Sequence, residues 1–315
     1  MTSQAQLGDR VQFPGIAPAA FEHPVDRMAL DVLRRTPGLD RLFKKLASLG
    51  FERQVRLHFT ADSLRLGPKQ CPRIYRLFQE AANILDMPEP ELYLMQFPVP
   101  NAVAIGLDRH TLVVTSALVD LLSEDELRFV LGHELGHMKS GHMLYRTIAY
   151  FLAIIGLVAA RNLPLVNLVS QAMLLAFYDW FRKSELTADR AGLLVAQDSD
   201  VAVRSLLKLA GGAQKTADDL DVNEFLRQAD DFEDMDESLL NVLYKFDMIR
   251  FQSHPFPAPR AREIAEWAKS EAYRAALRGD YPRSEGKSEE RRCGRCGART
   301  SNPLYRFCPE CGGAL

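Results

Sequence analysis

Residues 124–142 read EDELRFVLGHELGHMKSGH. Leu127, Val130 and Leu131 recur at helical spacing. Ser123 is placed to cap the helix, and the acidic first turn complements the helix dipole. Within the helix, His133-Glu134-Leu135-Gly136-His137 is an H-E-x-x-H pattern. Residues four apart share a helical face, so His133 and His137 can aim both imidazoles at one metal ion. Glu134 lies beside that face, badly placed as a third ligand and well placed to hold a water next to the metal. Gly132 and Gly136 each cost a helix roughly 1 kcal/mol relative to alanine, so something is expected to approach this backbone closely.

Two histidines leave a tetrahedral zinc ion short of one protein ligand, and a carboxylate from a second helix would complete the set used in hydrolytic sites. Glu185, in Ser184-Glu185-Leu-Thr-Ala-Asp189, is the candidate. Asp189 lies one turn further on the same face, where it could accept a hydrogen bond from a ligand histidine and fix its tautomer. In this scheme zinc lowers the pKa of its water, Glu134 takes the proton and passes it to the leaving amine, and one more donor stabilises the oxyanion. His254 is a candidate for that donor. It could equally support a ligand from behind or cap the turn before Pro255.

Around this centre the chain is mainly α with a small β-sheet, an α+β arrangement. Upstream, residues 26–50 fit two short helices broken at Pro37-Gly38, and another helix is predicted from Pro72 to Leu85. The segments at 91–95, 102–105 and 111–115 are rich in β-formers and punctuated by Pro and Gly, so they read as a small sheet. Downstream, residues 147–178 carry a single charge near the middle, at Arg161, before the next cluster. Neither half reaches the ~20 apolar residues of a spanning helix. Pro164 suggests a helical hairpin, which fits either burial against the protein or a dip into a membrane surface. The ligand helix is expected to follow it. Between Asp218 and Glu237 stand ten carboxylates and one arginine, read as a solvated face. A last helix is expected from Arg260 to Leu277.

At this point a resemblance emerges. Asn101-Ala102, then Asp125-Glu-Leu through His137, then Gly141-His142, resemble the HtpX and CaaX prenyl protease family, the forty-eighth metallopeptidase family, of gluzincin type. Glu185-x-x-x-Asp189 matches its E-x-x-x-D element, and His254-Pro255 through Arg260 matches its HP-x4-R element, so the likeness covers residues 70–265. It implies a zinc-dependent endopeptidase acting on peptide or protein substrates, often membrane or misfolded proteins. It also implies that the strand at Asn101 and Ala102 borders the substrate cleft and that Arg260 supports the site. Members that span membranes carry a long apolar pair where this chain has the shorter passage 147–178.

The chain has 315 residues with 47% hydrophobic and 25% charged residues and a net charge of -2, a globular composition with no general attraction to nucleic acid. Its N-terminus lacks a charged start followed by an apolar core. Four of the five cysteines fall in the last 23 residues, as Cys293-x-x-Cys296 and Cys308-x-x-Cys311. This is zinc-ribbon spacing, a closed structural site whose metal would supply its folding energy, and it points to a reducing, cytoplasmic compartment, with a membrane's cytoplasmic face as an alternative setting. Cys71 reads as a small, partly buried apolar residue. The expected organisation is an N-terminal helical region (1–69), a metallopeptidase domain (70–278), a linker (279–290) and the ribbon (291–315), with one catalytic and one structural zinc. A competing reading makes the chain an adaptor that works through its ribbon. A scaffold would have no need of Glu134.

Overall fold

The H-E-x-x-H helix forms as its sequence predicts and lies at the centre of the molecule. It spans Glu124–Lys139, and Ser123 closes a capping box with Glu126: the serine hydroxyl accepts from Glu126 N at 3.3 Å, and Glu126 Oε2 accepts from Ser123 N at 2.7 Å. The computed structural model describes residues 10–34, 51–106, 110–147, 164–234, 254–284, 291–297 and 299–300.

In chain order the described helices are α1 (Pro24–Arg34), α2 (Phe51–Asp62), α3 (Pro72–Ile84), α4 (Ser116–Leu121), α5 (Glu124–Lys139), α6 (Pro164–Ala196), α7 (Ser199–Gly211), α8 (Val222–Asp234), α9 (Pro257–Lys269) and α10 (Glu271–Leu277). The strands are β1 (Leu64–Arg65), β2 (Glu91–Met95), β3 (Ala102–Ile105), β4 (Thr111–Thr115), β5 (Arg291–Arg292) and β6 (Arg299–Thr300). The α+β expectation holds. Strands β2, β3 and β4 coincide with the predicted segments. They join β1 in a sheet of order β1-β2-β4-β3, with β2 and β4 parallel and β3 an antiparallel edge strand.

One face of the sheet, with Leu92, Ala102, Ala104, Leu112 and Val114, enters the main core beside α5. The other face packs Tyr93 and Val113 against Phe59 of α2. Alternation along β3 buries Ala102 and Ala104, as the two-residue period of a strand requires.

The two costly glycines are explained by α6. A Cβ on Gly136 would stand 2.5 Å from Ala191 Cβ, and one on Gly132 would stand 2.7 Å from Val195 Cβ. Gly192, facing them from α6, would place a Cβ 2.8 Å from Phe129 O. Small residues on both helices let the backbones meet closely, and this brings the histidine face of α5 against the carboxylate face of α6.

Two readings are corrected. Pro164 is the first residue of α6, which runs unbroken from Pro164 to Ala196, so no separate helix begins after residue 178. Proline is tolerated in a first turn because its missing N–H would have no intrahelical partner there. The other arm of the expected hairpin, residues 148–163, lies outside the described residues, as do residues 35–50. The helix expected over 260–277 is two helices, because Ser270 ends α9 and caps α10 by accepting from Tyr273 N. Helices α2 and α4 were not anticipated. Cys71 is partly buried against the core, as expected. No helix among the described residues is long and apolar enough to cross a membrane.

Candidate metal centre

His133 and His137 project from one face of α5 with ring centroids 4.8 Å apart. Helix α6 presents Glu185 to both: its Oε2 lies 3.4 Å from His133 Nε2 and its Oε1 3.2 Å from His137 Nε2. One turn on, Asp189 Oδ1 is 2.9 Å from His133 Nδ1, the arrangement expected of a carboxylate that holds a ligand histidine. Arg260, from the first turns of α9, donates to Asp189 at 2.8 and 2.7 Å and lies 3.1 Å from Glu185. Phe256, just before α9, has φ 57° between two prolines. This strained turn brings His254 and Arg260 onto the same oxygen, Glu185 Oε2.

His254 brings Nδ1 to 2.8 Å from Glu185 Oε2, while Nε2 lies 2.9 Å from Ala102 O and 3.3 Å from Glu134 Oε1. Glu134 Oε2 accepts from Ala104 N at 2.7 Å. Two outward-facing backbone groups of edge strand β3, Ala102 O and Ala104 N, therefore meet site residues. Asn101 sits at the end of β3, its N donating to Thr115 Oγ1.

The electrostatics follow from this packing. Burial alone would push Glu185 up, but His254 and Arg260 hold it well below the usual carboxylate range. Asp189 is likewise lowered, against burial, by Arg260. Burial, reinforced by the nearby Arg146 cation, pushes His137 well down and keeps it neutral. His133 is pushed up to about 9 because Asp189 and Glu185 outweigh burial.

Sequence reasoning missed Arg146, Asp26 and the role of His142. Arg146 donates to His137 Nε2 at 2.8 Å and Glu185 Oε1 at 3.2 Å, with its guanidinium 4.2 Å from the Phe181 ring. Gly141, at φ 74°, turns the chain at the end of α5 and returns His142 N to His137 O. His142 Nδ1 then sits 2.9 Å from His137 Nδ1. A histidine five residues beyond the motif, just after a glycine, was the available signal. Nothing in the local sequence ties Asp26 to this place.

A cleft of about 770 Å³ opens on His133, Glu134 and His254, walled by Phe129, Leu206 and Phe225. At the far end of the chain, Cys293 and Cys296 lie in the turn between β5 and β6, and Arg295 N donates to Cys293 Sγ at 3.4 Å. Cys308 and Cys311 lie outside the described residues.

The donor set fits a metal ion. One donor atom each from His133, His137, Glu185 and His254 lies within 4.8 Å of the others, and His133 Nε2 and Glu134 Oε1 are buried with no hydrogen-bond partner. Two imidazoles and a carboxylate are the ligands of hydrolytic zinc. Such a centre, built on two helices beside an edge strand and a cleft, defines the class of zinc metallopeptidases. The chain belongs to peptidase family M48, the HtpX-like zinc metallopeptidases, whose family model matches residues 68–268. It is therefore a metalloprotease, a hydrolase of peptide bonds. It is 38% identical over 261 residues to a plastoglobule-localized metallopeptidase 48, chloroplastic, of Arabidopsis thaliana, covering 82% of this chain and 75% of that protein. A Protease HtpX homolog of Moorella thermoacetica is 28% identical over 192 residues, covering 53% of this chain and 62% of that protein. No solved structure matches the chain.

Proposed function

We propose that the chain is an endopeptidase in which His133, His137 and Glu185 hold the catalytic zinc and Glu134 is the general base. When bound, zinc supplies Lewis acidity, both to make a water nucleophilic at neutral pH and to polarise the scissile carbonyl. The observation that carries this reading is the asymmetry of Glu134: Oε2 is pinned by Ala104 N–H, while the buried Oε1 has no hydrogen-bond partner and faces the histidines. That free oxygen takes the proton of the attacking water and delivers it to the leaving amine. His254, held at the mouth of the cleft between Glu185 and Ala102 O, donates to the oxyanion. Asp189 and Arg260 orient His133 and Glu185. The substrate backbone pairs with the free edge of β3 at Ala102, alongside Asn101, which requires His254 to give up Ala102 O. The apolar wall of the cleft favours a bulky apolar side chain beside the scissile bond.

Zinc content and casein cleavage test this together. Glu134→Gln keeps its zinc and loses cleavage by at least about 10²-fold, whereas Glu185→Ala loses one zinc. Equal cleavage by Glu134→Gln and wild type would overturn the mechanism, and full zinc retention in Glu185→Ala would mean another third ligand. The four cysteines 293, 296, 308 and 311 are assigned a second, structural zinc, lost in Cys308→Ser while the catalytic one stays.

A membrane or lipid-surface setting on the cytoplasmic side is the second part of the reading. Its support is the exposure of Met28 (69%) and Val32 (67%) on α1, which packs against the long helix α6. The relative named for plastoglobules also supports it.

A further inference from the structure

Helix α1 lies outside the residues that match the family, yet it sends Asp26 into the core beneath the metal centre. Asp26 is fully buried. Its Oδ1 accepts from Trp180 Nε1 at 3.0 Å, and its Oδ2 accepts from Thr187 Oγ1 at 2.5 Å and lies 3.0 Å from His142 Nε2. That last contact is oblique, the His142 N–H pointing off the line to the oxygen. The other nitrogen of His142 faces His137 Nδ1 at 2.9 Å.

The positions of the protons in this chain follow from the group at the His137 end and agree with the group at the other. At one end a guanidinium, which can only donate, lies 2.8 Å from His137 Nε2, nearer than the Glu185 carboxylate oxygen at 3.2 Å. That nitrogen is therefore bare, and the neutral ring carries its proton on Nδ1, where it donates to His142 Nδ1. His142 must then carry its own proton on Nε2. At the other end stands the carboxylate of Asp26, which can only accept. A proton on His142 Nε2, 3.0 Å from that carboxylate though off its line, agrees with the tautomers set at the first end.

We propose that Asp26 is a positioning residue of the metal centre: acting through His142, it holds His137 in the tautomer that offers Nε2 to zinc. It does for His137 what Asp189 does for His133, but from the N-terminal helix. Helix α1 is thus a working part of the catalytic centre. The proposal rests on His137 being a zinc ligand, as argued above.

The first test needs no metal and no substitution. In chelator-treated wild-type protein at neutral pH, ring ¹⁵N shifts should show His137 protonated on Nδ1 and His142 on Nε2. The opposite tautomer on either ring overturns the relay, whatever the fate of the zinc assignment. The second test is zinc affinity by chelator competition. In Asp26→Asn the indole of Trp180 can only donate, so it claims the amide oxygen and the NH₂ faces His142, reversing the polarity of the relay. Asp26→Asn and His142→Phe should each weaken zinc binding about 10–100-fold. The double variant should be no weaker than the worse single one, since both act through one chain of contacts. Wild-type affinity in the single variants, or fully additive losses, would overturn the proposal. If Asp26→Asn does not fold, His142→Phe and the wild-type shifts still decide it. If wild-type affinity is unchanged by His137→Ala, the zinc assignment fails, while the tautomer measurement judges the relay separately.

Discussion

Arg260 pairs with two buried carboxylates of the centre. It is 5% exposed and serves Asp189 and Glu185 together. Taking one partner from a buried ionic pair costs about 3–5 kcal/mol, because the other charge is left uncompensated. Arg260→Met should destabilise the fold by that order in urea unfolding, while Arg262→Met, on a half-exposed pair with Asp230, should cost less than about 1 kcal/mol. Asp26 makes a second prediction, with a defined sign. Against burial, which pushes it up, His142, Thr187 and Trp180 hold it below its ordinary value of 3.8. A carboxylate lowered in the folded state contributes stability at pH values above its unfolded pKa and loses it as pH falls through the folded one. The urea midpoints of wild type and Asp26→Asn should therefore differ at neutral pH and converge below about pH 4. A gap unchanged down to acid unfolding would mean that the substitution acts by sterics.

Between elements, the decisive contact is the crossing of α5 and α6. Gly132, Gly136 and Gly192 were visible in the sequence as a cost without a reason, and the structure supplies the reason: two backbones meet where a methyl group has no room. Gly192→Ala gains roughly 1 kcal/mol of helix propensity, but its Cβ would press on the Phe129 carbonyl and ring, an overpacking cost of about 1–3 kcal/mol. A lower thermal midpoint together with weaker zinc binding is expected, because the same crossing sets the distance from Glu185 to the histidines. A stabilised variant with unchanged zinc affinity would mean that the helices shift apart without cost. Much at this scale was legible beforehand. The cap at Ser123 and strands β2, β3 and β4 announce themselves through neighbours within a few residues. Helix α2 was not legible, since its pattern merges with the basic residues before it. The break at Ser270 was missed because the helical period resumes at once.

For the whole molecule, the long helix α6 connects two surroundings. Its C-terminal half carries Glu185 and Asp189 into the centre, and it packs on α1, whose outer face exposes Val25, Met28 and Val32. If this face meets lipid, the full-length protein should float with anionic liposomes, and Met28→Asp with Val32→Asp should leave it in the soluble fraction. Sedimentation of wild type free of liposomes would remove the membrane from the proposed setting.

The metal-binding pattern of α5, the small sheet and the candidate ligands could be read from the sequence alone. Those signals are local: a 3.6-residue period, a cap three residues from its partner, two histidines one turn apart. Only the tertiary structure decided that Glu185 faces both histidines, that α6 is a single helix from Pro164, and that Arg146, His142 and Asp26 complete the surroundings of His137. Those contacts join residues far apart along the chain. They depend on how closely two helices can approach and on which buried donor meets which acceptor, and no periodicity in a linear sequence records that.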